Sequence, residues 1–212
     1  MSRNKVQLAL LVIASAVLAS LIYFVTSQTD SAGAKHSEDL RAAGIIALPQ
    51  PRKIPELSFY TSENTIISTA ELKDKWYLIY FGYTSLAEMR QIHRLLSHAA
   101  QQKVEFIMVS VDPNRDTPEQ LRAYLDFFHP DFKGLTGTMA DIQEFSNAVG
   151  IPFIPGDTSL PGYTVDHSGN LAIINPDGEH FGFVQAPFKI TQVAQAFNQF
   201  VQPAEEQQSQ RT

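Results

Sequence analysis

Few side chains in this chain are able to do chemistry, and the most telling type is missing. No cysteine occurs among the 212 residues. That excludes thiolate nucleophiles, disulfides, iron–sulfur clusters and cysteine metal sites. It leaves the redox compartment open, since a chain without thiols is stable in either environment. His36, His93, His98, His129 and His180 show no ligand spacing such as H-x-x-x-H and read as surface or packing residues. Asp112, Arg115 and Asp116 form an acidic–basic cluster where a strand gives way to a helix, the kind of strand end that faces the functional edge of an open α/β sheet. The same residues suit turns and caps, Asp112-Pro113 closing the strand and Asp116-Thr117-Pro118 opening the helix, so they are read as structural first. The net charge of −6 comes with no basic stripe, which argues against nucleic-acid binding.

The elements that must hold these residues are legible from periodicity. Leu57 to Tyr60 and Thr65 to Ser68 flank Ser62-Glu63-Asn64 and read as a β-hairpin. Trp76 to Phe81 (WYLIYF) is a continuous apolar run, as expected of a strand buried on both faces of a parallel sheet, and Val104 to Val111 (VEFIMVSV) reads as a second buried strand. Between them Leu86, Met89, Ile92, Leu95, Leu96 and Ala99 recur at helical spacing up to Gln102. Thr84 or Ser85 is the expected N-cap, with Glu88 placed to complete a capping box. A second helix starts at Pro118 and runs to about Phe128. Gly134 to Thr138 reads as a link to a third helix, Ala140 to Val149. Strands are expected at Tyr163 to Val165, Leu171 to Ile174 and His180 to Val184, the last two joined by the turn Asn175-Pro176-Asp177-Gly178. Ile190 to Val201 is a final amphipathic helix. The order βαβα…ββα is that of a thioredoxin-like α/β fold, a central mixed sheet flanked by helices, with an added N-terminal hairpin and an extra helix.

Ahead of this domain (55–201) stands Val6 to Val25, a run of 20 residues without a charge. At about 1.5 Å per residue it matches the roughly 30 Å of a bilayer core. Arg3 and Lys5 precede it and the first charge after it is Asp30, so residues 1–5 are expected in the cytoplasm and the domain outside. A cleaved export signal is the competing reading, disfavoured by the length of the apolar run. Residues 26–54 read as a tether, with a short helix within Glu38 to Leu48, and 202–212 as a frayed polar tail.

Four stretches in register resemble one family. Tyr80-Phe81-Gly82-Tyr83-Thr84, VSVDPNRDTPEQL from Val109 to Leu121, GLTGT from Gly134 to Thr138 and TVDHSGNLAIINPDG from Thr164 to Gly178 are similar to the Sco/SenC copper proteins over about Pro55 to Val201. The resemblance implies a membrane-anchored thioredoxin-like protein of the inner membrane, its domain periplasmic, acting in biogenesis of the copper centre of cytochrome c oxidase with an oxidase subunit or assembly factor as partner. It also implies a C-x-x-x-C motif at the start of the first helix and a histidine as third copper ligand. In this chain Leu86 and Arg90 stand at the two cysteine positions, and His167 after Asp166 stands at the histidine. Leucine supplies no ligand, and arginine is a fixed cation without an acceptor. Copper(I) wants thiolate, thioether or imidazole, so family copper delivery and thiol redox activity are expected to be lost. The chain is then a degenerate, non-enzymatic accessory with no expected cofactor. The alternative is a copper-binding metallochaperone with ligands shifted to His167 and Met89, although Met89 fits the apolar helical stripe of a core. Positions 86, 90 and 167 are expected to converge. An anion site of Arg90, His167 and the backbone amides of the first helix turn is weighed against a surface Arg90 paired with Glu88, Asp166 or another acid.

Overall fold

In the computed structural model, residues 20, 37–156 and 163–201 are described. The run 6–25 lies outside them except for Ser20, as do 26–36 and the tail after Val201. Among the described residues no helix is long and apolar enough to cross a membrane.

Among the described residues the domain contains β1 (Ile45–Lys53), β2 (Ser58–Thr61), β3 (Ile66–Ser68), β4 (Trp76–Phe81), α1 (Leu86–Leu95), α2 (His98–Lys103), β5 (Val104–Val109), α3 (Pro118–Asp126), β6 (Lys133–Thr136), α4 (Met139–Ala148), β7 (Phe153–Ile154), β8 (Asp166–His167), β9 (Leu171–Ile174), β10 (Glu179–Val184) and α5 (Ile190–Val201). Eight strands form one sheet in the order β1-β10-β9-β4-β5-β6-β2-β3, and β7 pairs with β8 apart from it. β4, β5 and β6 run parallel, and the other pairs are antiparallel. This is the expected mixed sheet.

The apolar runs are explained by two cores. Side chains alternate across a strand, so Leu78 and Tyr80 of β4 enter one core with Leu86, Met89 and Ile92 of α1, Leu121 and Leu125 of α3 and Phe197 of α5. Tyr77, Ile79 and Phe81 enter the other, with Ile142 and Phe145 of α4. Trp76 closes the edge of the first core, stacked on Phe200 at 4.7 Å and edge-on to Phe181 and Phe197.

Four local expectations differ from the structure. The distal tether is strand β1, antiparallel to β10 with an irregularity between Ala47 and Arg52; helix is confined to residues 37–42. Pro49 and Pro51 disguise the strand, and an irregular outermost strand is where proline is tolerated. The helix expected from Leu86 to Gln102 is two helices, because Leu96 is extended (φ −69°, ψ 141°) and Ser97 caps α2 through Ala100 N. The supposed link at Gly134 is within strand β6, held between β5 and β2. The strand expected at Tyr163 to Val165 lies instead at Asp166–His167.

Candidate functional site

β4 and β5 end side by side, with Phe81 opposite Val109. Two polar groups gather at this edge of the sheet. The first is built around His167. Strand β8 pairs His167 with Phe153 and Asp166 with Ile154, and brings the imidazole over the backbone of Gly82. A Cβ at Gly82 would lie 2.6 Å from the ring's Cε1, and the φ of +136° there is one that L side chains rarely adopt. Glycine is therefore required both for the close approach and for the backbone. The Tyr80 hydroxyl, on a ring wholly buried in the first core, lies 3.4 Å from His167 Nδ1 and 2.7 Å from Thr84 Oγ1. The two rings meet edge-on at 5.7 Å. Tyr124 Oη donates to the Tyr83 carbonyl at 3.0 Å, pinning the turn from α3.

Helix α1 leaves this turn with Ser85 at the N-cap, but Ser85 has φ −99° and ψ 12° and makes no side-chain cap bond. The extended backbone that aims a cap oxygen at N2 or N3 is absent, and the Thr84 hydroxyl is taken by Tyr80. The expected capping box does not form, and Glu88 Oε2 is buried without a hydrogen bond. Leu86 and Met89 are fully buried in the first core, whereas Arg90 is exposed. Among the described residues no hydrogen bond or ion pair joins Arg90 to His167, Glu88 or Asp166. The ion pair of Arg90 with Glu88 or Asp166 is therefore not formed among the described residues. Met89 packs as the apolar stripe requires.

The second group surrounds Asp112, which is 2% exposed. Arg115 Nε and Tyr163 Oη donate to its two carboxylate oxygens, the latter at 2.7 Å. The Arg115 guanidinium lies 4.1 Å from the centroid of the Tyr163 ring, within cation–π range. Ser110 Oγ donates to Asp116 Oδ2 and accepts from Asp112 N at 3.0 Å. Burial pushes the Asp116 carboxyl up to about 6. The hydrogen bond to Asp112, then burial, push the Tyr163 hydroxyl up. Thr117 forms a capping box with Gln120 and Pro118 opens α3, so this stretch has the structural roles expected of it. Tyr163, 51 residues from Asp112, gave no local signal.

Copper, the cargo that the resemblance implies, does not fit these residues. Of the three ligand positions only His167 can bind. Leu86 has its side chain in the core, and Arg90 is a permanent cation.

A third grouping lies away from this edge. His93 and His129, expected to be unconnected packing or surface residues, have ring centroids 4.1 Å apart. Their separation by 36 residues leaves no motif to find.

A family model described as SCO1/SenC matches residues 48–202. Among curated proteins, one of Stutzerimonas stutzeri described as "Putative copper-binding protein" is 37% identical over 159 residues, 71% of this chain and 78% of that protein. The mitochondrial SCO2 of Saccharomyces cerevisiae is 31% identical over 157 residues, 68% of this chain and 50% of that protein. Among solved structures, copper-bound ScoI of Bradyrhizobium japonicum superposes with a TM-score of 0.62 at 26% identity, covering 70% of this chain and 99% of that one. Copper-bound yeast Sco1 gives 0.64 at 23% identity, covering 74% and 94%, a likeness of fold.

Proposed function

The chain belongs to the SCO1/SenC family, and from that premise we propose that it is a membrane-anchored accessory of cytochrome c oxidase assembly that neither delivers copper nor turns over thiols. One observation carries this reading. The two positions that hold cysteine in the family motif hold Leu86, fully buried in the core, and Arg90, exposed and cationic, in a chain without a single cysteine. A lone imidazole at His167 competes poorly with cellular copper ligands. The assignment to oxidase assembly rests on the family, one member of which, BsSco, is described as belonging to the Sco family of cytochrome c oxidase assembly proteins.

The role left to such a chain is binding and scaffolding, with no enzymatic turnover. The uncharged run from Val6 to Val25 supports a reading in which the chain is anchored in the inner membrane with the domain on the periplasmic side. Deletion of the gene and assay of cytochrome c oxidase activity in membranes tests the proposal. Oxidase activity falls on deletion and is restored equally by the wild-type chain and by His167→Ala. Unchanged activity on deletion, or rescue that requires His167 together with stoichiometric copper(I) on the purified protein, overturns it.

A further inference from the structure

From the grouping of His93, His129 and Asp131 the structure assigns a second site to this chain, one for a divalent borderline metal ion of the zinc class, apart from the His167 edge. Each of the three residues offers one ligand atom, and these atoms all lie within 4.8 Å of one another. His93 comes from α1, and His129 and Asp131 from the loop between α3 and β6.

His93 is the independent sign that something is to be held here. It is 8% exposed, and its Nδ1 is buried without a hydrogen-bond partner. Buried imidazole nitrogens are ordinarily paired, and packing alone leaves this one uncompensated. The ring presents one of its two nitrogens to His129 and Asp131. The ring lies edge-on to Phe106 at 5.6 Å and to Phe132 at 6.0 Å. These rings fix its orientation and lower the local dielectric.

Two imidazoles and a carboxylate are an N,N,O set suited to Zn²⁺, Ni²⁺ or Cu²⁺, not to copper(I) carried on thiolates. Three protein ligands leave a fourth position for water. Tetrahedral ligands at zinc distances stand about 3.3 Å apart, so the present arrangement must close slightly. Asp131 can do so, since its side chain is 79% exposed. Binding through His129 Nδ1 replaces the bond it now accepts from Asp131 N at 3.2 Å. A pocket of about 470 Å³, lined by His93 and Asp131 among others, gives an ion access. Lys75 and Lys133 also line it, but both are paired with Glu105.

The test uses the full, untagged chain freed of metal. Zn²⁺ binding is measured by calorimetry, and Co²⁺ serves as a visible-absorption probe of coordination. Wild type is expected to take one equivalent. Asp131→Asn, on an exposed side chain that does not endanger folding, and His129→Gln are each expected to weaken binding by about tenfold or more. His167→Ala is expected to leave it unchanged. Absence of Zn²⁺ binding, wild-type affinity in both Asp131→Asn and His129→Gln, or loss of binding in His167→Ala overturns the assignment.

Discussion

Replacing Gly82 by alanine tests whether His167 is held in place by packing against the end of β4. The new Cβ would lie 2.6, 2.7 and 2.8 Å from Cε1, Nδ1 and Nε2 of the imidazole. All three are well inside van der Waals contact, so the ring must move. In moving it gives up the Tyr80 hydroxyl at 3.4 Å and the edge-on contact at 5.7 Å. Overpacking of this kind costs about 1–3 kcal/mol. The backbone adds a separate cost, since a non-glycine residue held at φ +136° is strained by about 1–3 kcal/mol. Gly82→Ala should therefore destabilise the domain by about 2–6 kcal/mol in total. The two parts separate in a double-mutant cycle, because His167→Ala removes the ring but not the strain. In that background Gly82→Ala should cost less by the overpacking part, about 1–3 kcal/mol. Urea unfolding of the full chain, followed by fluorescence, measures each corner. The single tryptophan, Trp76, stacks on Phe200 and reports on this domain alone. Effects additive within about 0.5 kcal/mol would refute the claim that imidazole and glycine share one space.

Other expectations follow from the same geometry. Asp116 has a carboxyl raised to about 6 by burial. The native state therefore holds its proton at pH values where the unfolded chain has lost it, so its contribution is complete below about pH 4 and lost as pH rises through 6. Asp116→Asn should flatten the fall in unfolding free energy between pH 4 and 6 by about 1–2 kcal/mol, a value reduced for partial exposure; an unchanged slope contradicts this. Glu105 behaves oppositely. Burial pushes its carboxyl up, but hydrogen bonds from Lys133 and Lys75 outweigh this and hold it below the usual range. Its contribution is present above the ordinary carboxylate pKa and lost on acidification, so Glu105→Gln should cost stability at pH 7 and little at pH 2–3, as urea melts at the two values will show. Phe197→Ala, which empties a fully buried site beside Trp76, should cost about 3–5 kcal/mol by the same assay. Finally, Leu86→Cys with Arg90→Cys should create copper(I) binding that depends on His167, checked by anaerobic titration. Failure in a folded variant would show that residues 86 and 90 do not stand where the family ligands do.

The central sheet was legible because its signals are local. WYLIYF is apolar at every position and VEFIMV at all but Glu105, a pattern that suits a strand with a core on each face. Caps at Thr117 and turns at Asn175 were equally plain, since each is a few residues long. Signals failed where the chain's neighbours lie far off. Pro49 and Pro51 look like tether until β10 is seen beside them, and KGLT is too short to show alternation, yet it completes the sheet from inside. The break at Leu96 and Ser97 interrupts a stripe whose apolar spacing continues across it. At the site, sequence indicated where His167 belongs but not that Tyr80 and Gly82 would seat it. The meetings of Asp112 with Tyr163 and of His93 with His129 depend on loops returning to the sheet, and no spacing rule encodes them.

The pairing of β1 with β10 has a practical side. A shortened chain starting at residue 55, where the apolar pattern suggests the domain begins, would strip the outermost strand and bare the N–H and C=O groups of Glu179–Val184 along a six-residue front. Such a front is a template for strands from other molecules. Fragments intended to stay monomeric should therefore begin upstream of Ile45, and those beginning after Lys53 should precipitate or swap strands.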